Sequence, residues 1–461
     1  MTSTVERLSS TRVKLTIEVP FADLKPAIDK AYRTVAGQIS IPGFRKGHVP
    51  PAVIDQRVGR GSVLSEAVNE VLPQVYAKAI DEQGLTPLGR PEVDMTKLED
   101  GESAEFVAEV DVAPDFELPD FSSLTATVPA ADDIDSGVDQ RIETLRERFA
   151  EVEPVDRPSQ VGDQVTINLS GFQEGQALAD ANAEGISYVI GSGQMLDGLD
   201  DAVTGLSAGD SAEFTSKLLG GEHAGQEADL KVEVTAVHSR SLPEVDDAFA
   251  AMVSQFDTVA EMRSDLAQGV ERSNQLTQLS QARQQILDAA IAAAGFELPE
   301  QLVESEVAGR LSQINEQLKS SGMTLESYLE RIGGDTPQTV EQFTADTRKT
   351  VERGIGSEIL LDKVAATVEI NVTQEDLTNM IFQKAQENGS TPEQELQHMQ
   401  SHNHLPEWMG QIRQSKALDT IVTQATISDS NGQVVDLKPL LASLSAASVV
   451  DPELEEDELE D

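Results

Sequence analysis

The hydrophobic period of this chain changes along its length, and that change limits what it can fold into. In TRVKLTIEVP, Val13, Leu15, Ile17 and Val19 alternate with Lys14, Thr16 and Glu18, the two-residue period of a strand with one buried face. A helical stretch follows, from about Phe21 to Gln38. GSVLSEAVNEVLPQVYAKAI then sets Val63/Leu64, Ala67/Val68, Val71/Leu72, Val75/Tyr76 and Ala79/Ile80 on one stripe, which predicts a long amphipathic helix. Phe106, Ala108, Val110 and Val112 return to alternation. Residues 1–112 therefore read as a compact α+β domain.

Residues 113–153 are acidic and contain prolines, with one expected helix in DQRIETLRERF, and read as a linker. From Val161 the texture turns to strand. Val165, Ile167 and Leu169 alternate, Gly171, Gly191, Gly198 and Gly209 are among closely spaced turn residues, and DLKVEVTAV alternates again. Residues 154–240 predict a small antiparallel β domain. Beyond Leu242-Pro243 the period is helical: Val307, Leu311, Ile314 and Leu318 step by four, three and four, with Pro299 ahead of the first turn. An all-α domain is expected over 241–432. The tail, 433–461, ends in DPELEEDELED, eight of whose eleven residues are acidic, and reads as disordered. At 461 residues the chain exceeds what one hydrophobic core supports, so a multidomain α+β division has room.

Charge is as uneven as period. The chain carries 34 Lys and Arg against 81 Asp and Glu, a formal net charge of −47. Residues 1–80 hold 11 of those cations and only 7 of the acids, net +4, which leaves −51 for the other 381 residues. Nucleic acid repels such a chain except at a local positive patch, and the first 80 residues are that exception. Within them, SIPGFRKGHVPP (Ser40–Pro51) sets Phe44, Arg45 and Lys46 between Gly43 and Gly47, with Pro42, Pro50 and Pro51 stiffening both flanks. Two readings stand on these residues. One is a charged turn with Phe44 packed inward. The other presents all three side chains outward, Arg45 as a two-pronged fork for phosphate or carboxylate and Lys46 as a point charge.

The remaining signals narrow the chemistry. There is no Cys, hence no disulfide and no thiolate metal site. No apolar run of about 18 residues occurs, so no membrane contact is expected. MTSTVERLSS lacks the apolar stretch of a signal peptide, which favours a cytoplasmic location. No serine–base–acid set and no phosphate-cradling loop followed by Lys is found, so neither nucleotide nor any other cofactor is expected. His398 and His402 are four apart, with His404 beside them, and could share a helix face and ligate a metal. With no Cys available and with ordinary acids nearby, the segment reads instead as a polar loop, and no metal site is assigned. Trp408 reads as a packing residue. Met252, Met262, Met323, Met380, Met399 and Met409 all lie beyond residue 241. Flexible thioethers suit contact with varied apolar clients, but at helical spacing most of them read as core.

The loop, the helix containing VLSEAVNEVL and the following LGRPEVD resemble the N-terminal ribosome-docking domain of the bacterial trigger factor family. The family signature, Gly-Phe-Arg-x-Gly-x-x-Pro, is met at Gly43, Phe44, Arg45, Gly47 and Pro50, and the domain order fits along the whole chain. The resemblance implies that Phe44, Arg45 and Lys46 contact protein and rRNA of the large ribosomal subunit beside the tunnel exit. It also implies a helical domain that holds nascent and unfolded polypeptides without ATP, and it leaves a homodimer open.

GDQVTINLSG through ISYVIGSGQMLDGLDDAVTGLSAGDSAEF resembles the FKBP-type prolyl isomerases over about 80 residues. By that resemblance the pocket comprises Leu169, Leu178, Ile186, Tyr188, Met195, Leu196, Leu199 and Val232. Such an enzyme needs no nucleophile. A dry apolar pocket favours the twisted amide, which has lost its resonance, and so lowers a rotation barrier of about 18–20 kcal/mol. Leu169 stands where Tyr or Phe is usual, Leu199 where Trp or Phe is, and Val232 where Phe is. The usually acidic position after Leu178 is Ala179, with Asp180 adjacent, and KLLGGEHAGQEADL is short where relatives carry a Tyr-containing loop. Weak isomerase activity is therefore expected. The alternative reading is a soluble prolyl isomerase whose flanking domains recruit unfolded substrates independently of the ribosome. A pocket rich in aromatics would favour that alternative, and this pocket is poor in them. A third reading, a scaffold that binds RNA through residues 1–80 without handling clients, would be opposed by exposed apolar surface on the helical domain.

Overall fold

The computed structural model describes residues 1–39, 44–45, 47–173, 176–218, 225–333 and 338–446. They divide into two compact units, one formed by residues 1–128 with the chain from 281 onward, the other by residues 129–280.

In the first unit, strands β1 (Thr2–Arg7), β2 (Arg12–Pro20), β3 (Pro87–Glu99) and β4 (Ser103–Val112) form an antiparallel sheet in the order β1-β2-β4-β3. Alternation in β2 is matched across the pair, where Leu15 faces Ala108 and Ile17 faces Phe106. The sheet thus gains one continuous apolar face, and helices α1 (Phe21–Gln38), α2 (Pro51–Arg57) and α3 (Arg60–Gln83) pack on it. Helix α3 buries Val63, Leu64, Ala67, Val68, Ala79 and Ile80, and the rest of the expected stripe is half-buried.

The later part of this unit is helical, with helices at Glu300–Ser320, Leu325–Ile332, Val340–Thr367, Gln374–Asn388, Pro392–His402, Leu405–Gln424 and Lys438–Ala446. Four of them begin in reciprocal capping boxes, led by Thr324, Thr339, Thr373 and Thr391, each satisfying amides that the first helical turn leaves free. Val303, Val307, Val351, Ile355 and Ile359 form one core between two of the long helices, and Leu318, Leu325 and Leu329 form another. The region also holds a short strand, Thr426–Asp429, paired in parallel with Thr125–Val128. A segment from the expected linker is thereby built into this unit. The acidic run at 451–461 lies outside the described residues.

The second unit contains strands Glu151–Pro154, Gln164–Gln173, Gln176–Val189, Ser211–Lys217 and Glu227–Ser241, with every pairing antiparallel. Glu227–Ser241 has Gln164–Gln173 along one edge and, on the other, Ser211–Lys217 followed by Glu151–Pro154. The short helix Leu199–Val203 packs Leu199 and Val203 into the core of the sheet. Elsewhere in the unit, helix Ile134–Arg148 buries Val138 and Ile142 against Phe249, Ala250, Met262 and Val270. Gly137 permits that approach, because a Cβ there would stand 2.9 Å from a Val270 methyl carbon.

Candidate functional site

The loop that follows α1 is rooted in the core of the first unit. Gly47 N–H donates to the Ala36 carbonyl of α1 at 2.9 Å, His48 N–H donates to the Arg45 carbonyl at 2.9 Å, and Val49 is buried among the core side chains. Gly47 sits at φ +85°, a region that residues with a Cβ enter only under strain. Pro50 and Pro51 then open α2, where a missing N–H costs nothing. Behind the loop, the Tyr32 hydroxyl of α1 donates to Asp55 of α2 at 2.7 Å and accepts from Arg60 of α3 at 2.8 Å. Burial and then Asp55 raise the Tyr32 pKa, which keeps that proton in place. Arg60 also grips Asp100 and lowers its pKa. The helices on both sides of the loop are thus tied together.

On this frame Phe44 is 42% exposed and Arg45 is exposed, so the inward-packed reading of Phe44 does not hold. Among the described residues Arg45 enters no ion pair, whereas Arg12, Lys30 and Arg60 of the same unit each meet a carboxylate. Gly43 and Lys46, with Ser40, Ile41 and Pro42, lie outside the described residues.

Of the eight expected pocket residues, Leu169, Tyr188, Leu199 and Val232 are buried in one core, and Ile186, Met195 and Leu196 pack against it half-buried. Leu178 belongs to an adjoining cluster with Leu218, Ala228 and Leu230, and Leu196 and Phe214 pack against both clusters. Leu199 and Val232 are 0% exposed, whereas Ile186, Met195, Leu196 and Phe214 are half-buried at the edge of the same core. Phe214 is an aromatic that sequence reasoning missed. Its signal was the alternation with Ala212 in the strand after Gly209.

Asp200 was also missed. Its Oδ1 accepts from the Tyr188 hydroxyl at 2.7 Å and from Gly191 N–H at 2.6 Å, bracing the turn that carries Met195 and Leu196. Burial, then Asp200, raises the Tyr188 pKa, so the hydroxyl keeps its proton and goes on donating. At the start of the domain, Arg157 forks onto Asp163 at 2.6 and 2.9 Å, and Gln160 N–H donates to the same carboxylate at 2.9 Å. Burial opposes ionisation of Asp163, but Arg157 and that amide outweigh it and hold the pKa below the ordinary range. The side chains of Ala179 and Asp180, and residues 219–224, lie outside the described residues.

Beyond residue 241 the methionines divide. Met262 and Met399 are buried, Met323 and Met380 half-buried, Met252 and Met409 exposed, so fewer are core than their spacing suggested. Trp408 is buried. The three histidines do not form a loop: His398 and His402 lie on helix Pro392–His402, and His404 stands immediately before helix Leu405–Gln424.

Residues 155–231 match the family described as FKBP-type peptidyl-prolyl cis-trans isomerase, so the sheet of the second unit carries an isomerase domain of that type. Residues 1–145 match the family described as bacterial trigger factor protein (TF), and residues 258–423 match the C-terminus of the same protein. The trigger factor of Cutibacterium acnes is 50% identical over 99% of this chain and 86% of its own length. That of Streptomyces avermitilis is 44% identical over 95% of this chain and 94% of its own. The chain belongs to the trigger factor family, ribosome-associated chaperones with an FKBP-type isomerase domain. A solved structure reported under "Promiscuous Substrate Recognition in Folding and Assembly Activities of the Trigger Factor Chaperone" shares the fold, with a TM-score of 0.51 at 24% identity, covering 91% of this chain and 99% of that one.

Proposed function

We propose that residues 1–112 dock this chain on the large ribosomal subunit, with Arg45 and Lys46 on rRNA phosphate, Phe44 in a protein crevice, and Gly43, Gly47 and Pro50 shaping the loop. The helices of 241–432 then hold nascent and unfolded polypeptides, in the cytoplasm and without nucleotide. The observation that carries this reading is the pairing of an exposed Phe44 with an Arg45 that has no ion pair among the described residues, on a loop anchored at Gly47. Exposed Ile332, Phe382, Leu396, Leu405 and Met409 supply apolar client contacts on the helical part, which speaks against a scaffold that handles no clients. No helix among the described residues is long and apolar enough to cross a membrane.

The isomerase of residues 154–240 is a weak one in this reading. Its substrate meets aliphatic side chains and Phe214, over a floor of Leu169, Leu178, Tyr188, Leu199 and Val232, and aliphatic walls stack on proline less well than aromatic ones. Cosedimentation with 70S ribosomes tests the docking. Replacing Phe44, Arg45 and Lys46 together by Ala is expected to abolish binding while isomerase activity and circular dichroism stay as in the wild type. Unchanged binding would leave the alternative in front, a prolyl isomerase that recruits substrates independently of the ribosome.

A further inference from the structure

We propose that His398, His402 and His404 form a binding site for a borderline divalent transition metal of the Zn2+, Ni2+ and Cu2+ class, with solvent completing the coordination. One ring nitrogen from each lies within 4.8 Å of the others, and the ring centroids are 4.5, 5.1 and 5.8 Å apart. Local structure brings them together. His398 and His402 are one turn apart on a helix face. Asn403 then takes a left-handed φ of 56° and ends the helix. His404 N–H donates to the Met399 carbonyl at 2.9 Å, which turns the chain back and sets the third ring beside the first two.

Ring orientation is the second observation. His404 Nδ1 lies 2.9 Å from Glu407 Oε2. A carboxylate only accepts, so Nδ1 carries the hydrogen and Nε2 keeps its lone pair. His402 Nδ1 lies 3.2 Å from the His398 carbonyl and 3.0 Å from Ser401 Oγ, and that hydroxyl donates to the same carbonyl at 3.1 Å. Nδ1 is again the donor and Nε2 the free ligand. Carboxylate and carbonyl partners of this kind orient metal-ligating imidazoles and raise their basicity.

A Zn–N bond of about 2.0–2.1 Å sets tetrahedral ligand atoms about 3.3 Å apart, so binding draws the rings together by up to roughly 1.5 Å through side-chain torsions. Imidazole selects these metals over Mg2+ and Ca2+, which prefer oxygen. The abundant carboxylates of this chain therefore do not reproduce the site. A bound ion ties the end of one helix to the start of the next across Asn403.

The test uses the chelator-stripped full chain, titrated with Co2+ and followed by its visible d–d absorption, then competed with Zn2+. One equivalent is expected to bind, Zn2+ to displace it, and Mg2+ at the same concentration to leave the band unchanged. The triple variant His398→Ala/His402→Ala/His404→Ala is expected to lose the band while keeping the wild-type circular dichroism. Glu407→Gln, which leaves all three imidazoles, is expected to weaken binding about 10- to 100-fold. Should the triple variant not fold, His398→Gln on its exposed helix face replaces it, with an expected weakening of at least about tenfold. No Co2+ band in the wild type, or undiminished affinity in the folded histidine variant, overturns the proposal.

Discussion

At Gly47 nothing among the described residues lies within 4 Å of where a Cβ would stand, so Gly47→Ala meets conformational strain and no clash with them. A left-handed backbone costs an L-residue about 1–2 kcal/mol. Gly47→Ala is expected to lower ribosome affinity several-fold by releasing the hydrogen bond to Ala36, with the global melting temperature little changed. In the isomerase domain, depth decides what a truncation does. Leu199→Ala is expected to destabilise the domain by about 2–5 kcal/mol in chemical denaturation, since Leu199 is fully buried. Leu196→Ala is expected to affect stability less and to lower kcat/KM for an X-Pro peptide. Asp163 gives a pH signature. Its native pKa lies below that of the unfolded chain, about 3.9, so the stability it contributes is full above that value and is lost as pH falls through the native one. The melting-temperature gap between wild type and Asp163→Asn is therefore expected to be constant from pH 6 to 8 and to close below about pH 4. At this scale the sequence was legible in type more than in role. It marked Phe44 and Arg45 as unusual, but only the structure shows Phe44 facing out and separates the buried Leu199 and Val232 from the half-buried Leu196 and Phe214.

Elements with one buried face could be read directly, because burial imposes a period. Strand β2, helix α1, the α3 stripe and strand β4 fall where alternation and helical spacing put them. Strands β1 and β3 escaped notice. They lie at the two edges of the sheet and are largely exposed, so they carry little apolar pattern. The parallel pair of Thr125–Val128 and Thr426–Asp429 was out of reach for another reason. Its partners are about 300 residues apart, and each is too short to announce itself. Helix ends offer a separate test. After helix Val340–Thr367, Ile370 N–H closes onto the Ala365 carbonyl at 3.0 Å while Glu369 sits at φ 54°, a position that glycine usually fills. Glu369→Gly is expected to raise stability by about 0.5–1 kcal/mol, as strain relief exceeds the added freedom of the unfolded chain. A destabilised variant in denaturant melts would contradict that account of the helix end.

Across the whole molecule, charge is distributed as the proposed docking requires. The first 80 residues are net positive within a chain of −47, so under the proposed docking, attraction to rRNA phosphate is confined to a patch while the remainder discourages nonspecific RNA contact. Domain order was legible because each change of hydrophobic period coincides with a change of architecture. The histidine cluster was legible only in part: the spacing of His398 and His402 put them on one helix face, but the place of His404 depends on a left-handed turn at Asn403 that spacing does not announce. The most direct measurement is the equilibrium affinity for 70S ribosomes across a series of salt concentrations, for the wild type and for Arg45→Ala/Lys46→Ala. Each phosphate contact contributes about 0.7–0.9 to the log–log salt slope. The wild type is predicted to weaken as salt rises, and the variant to bind less tightly with a slope shallower by up to about two. Equal affinities with equal slopes would contradict docking through this loop.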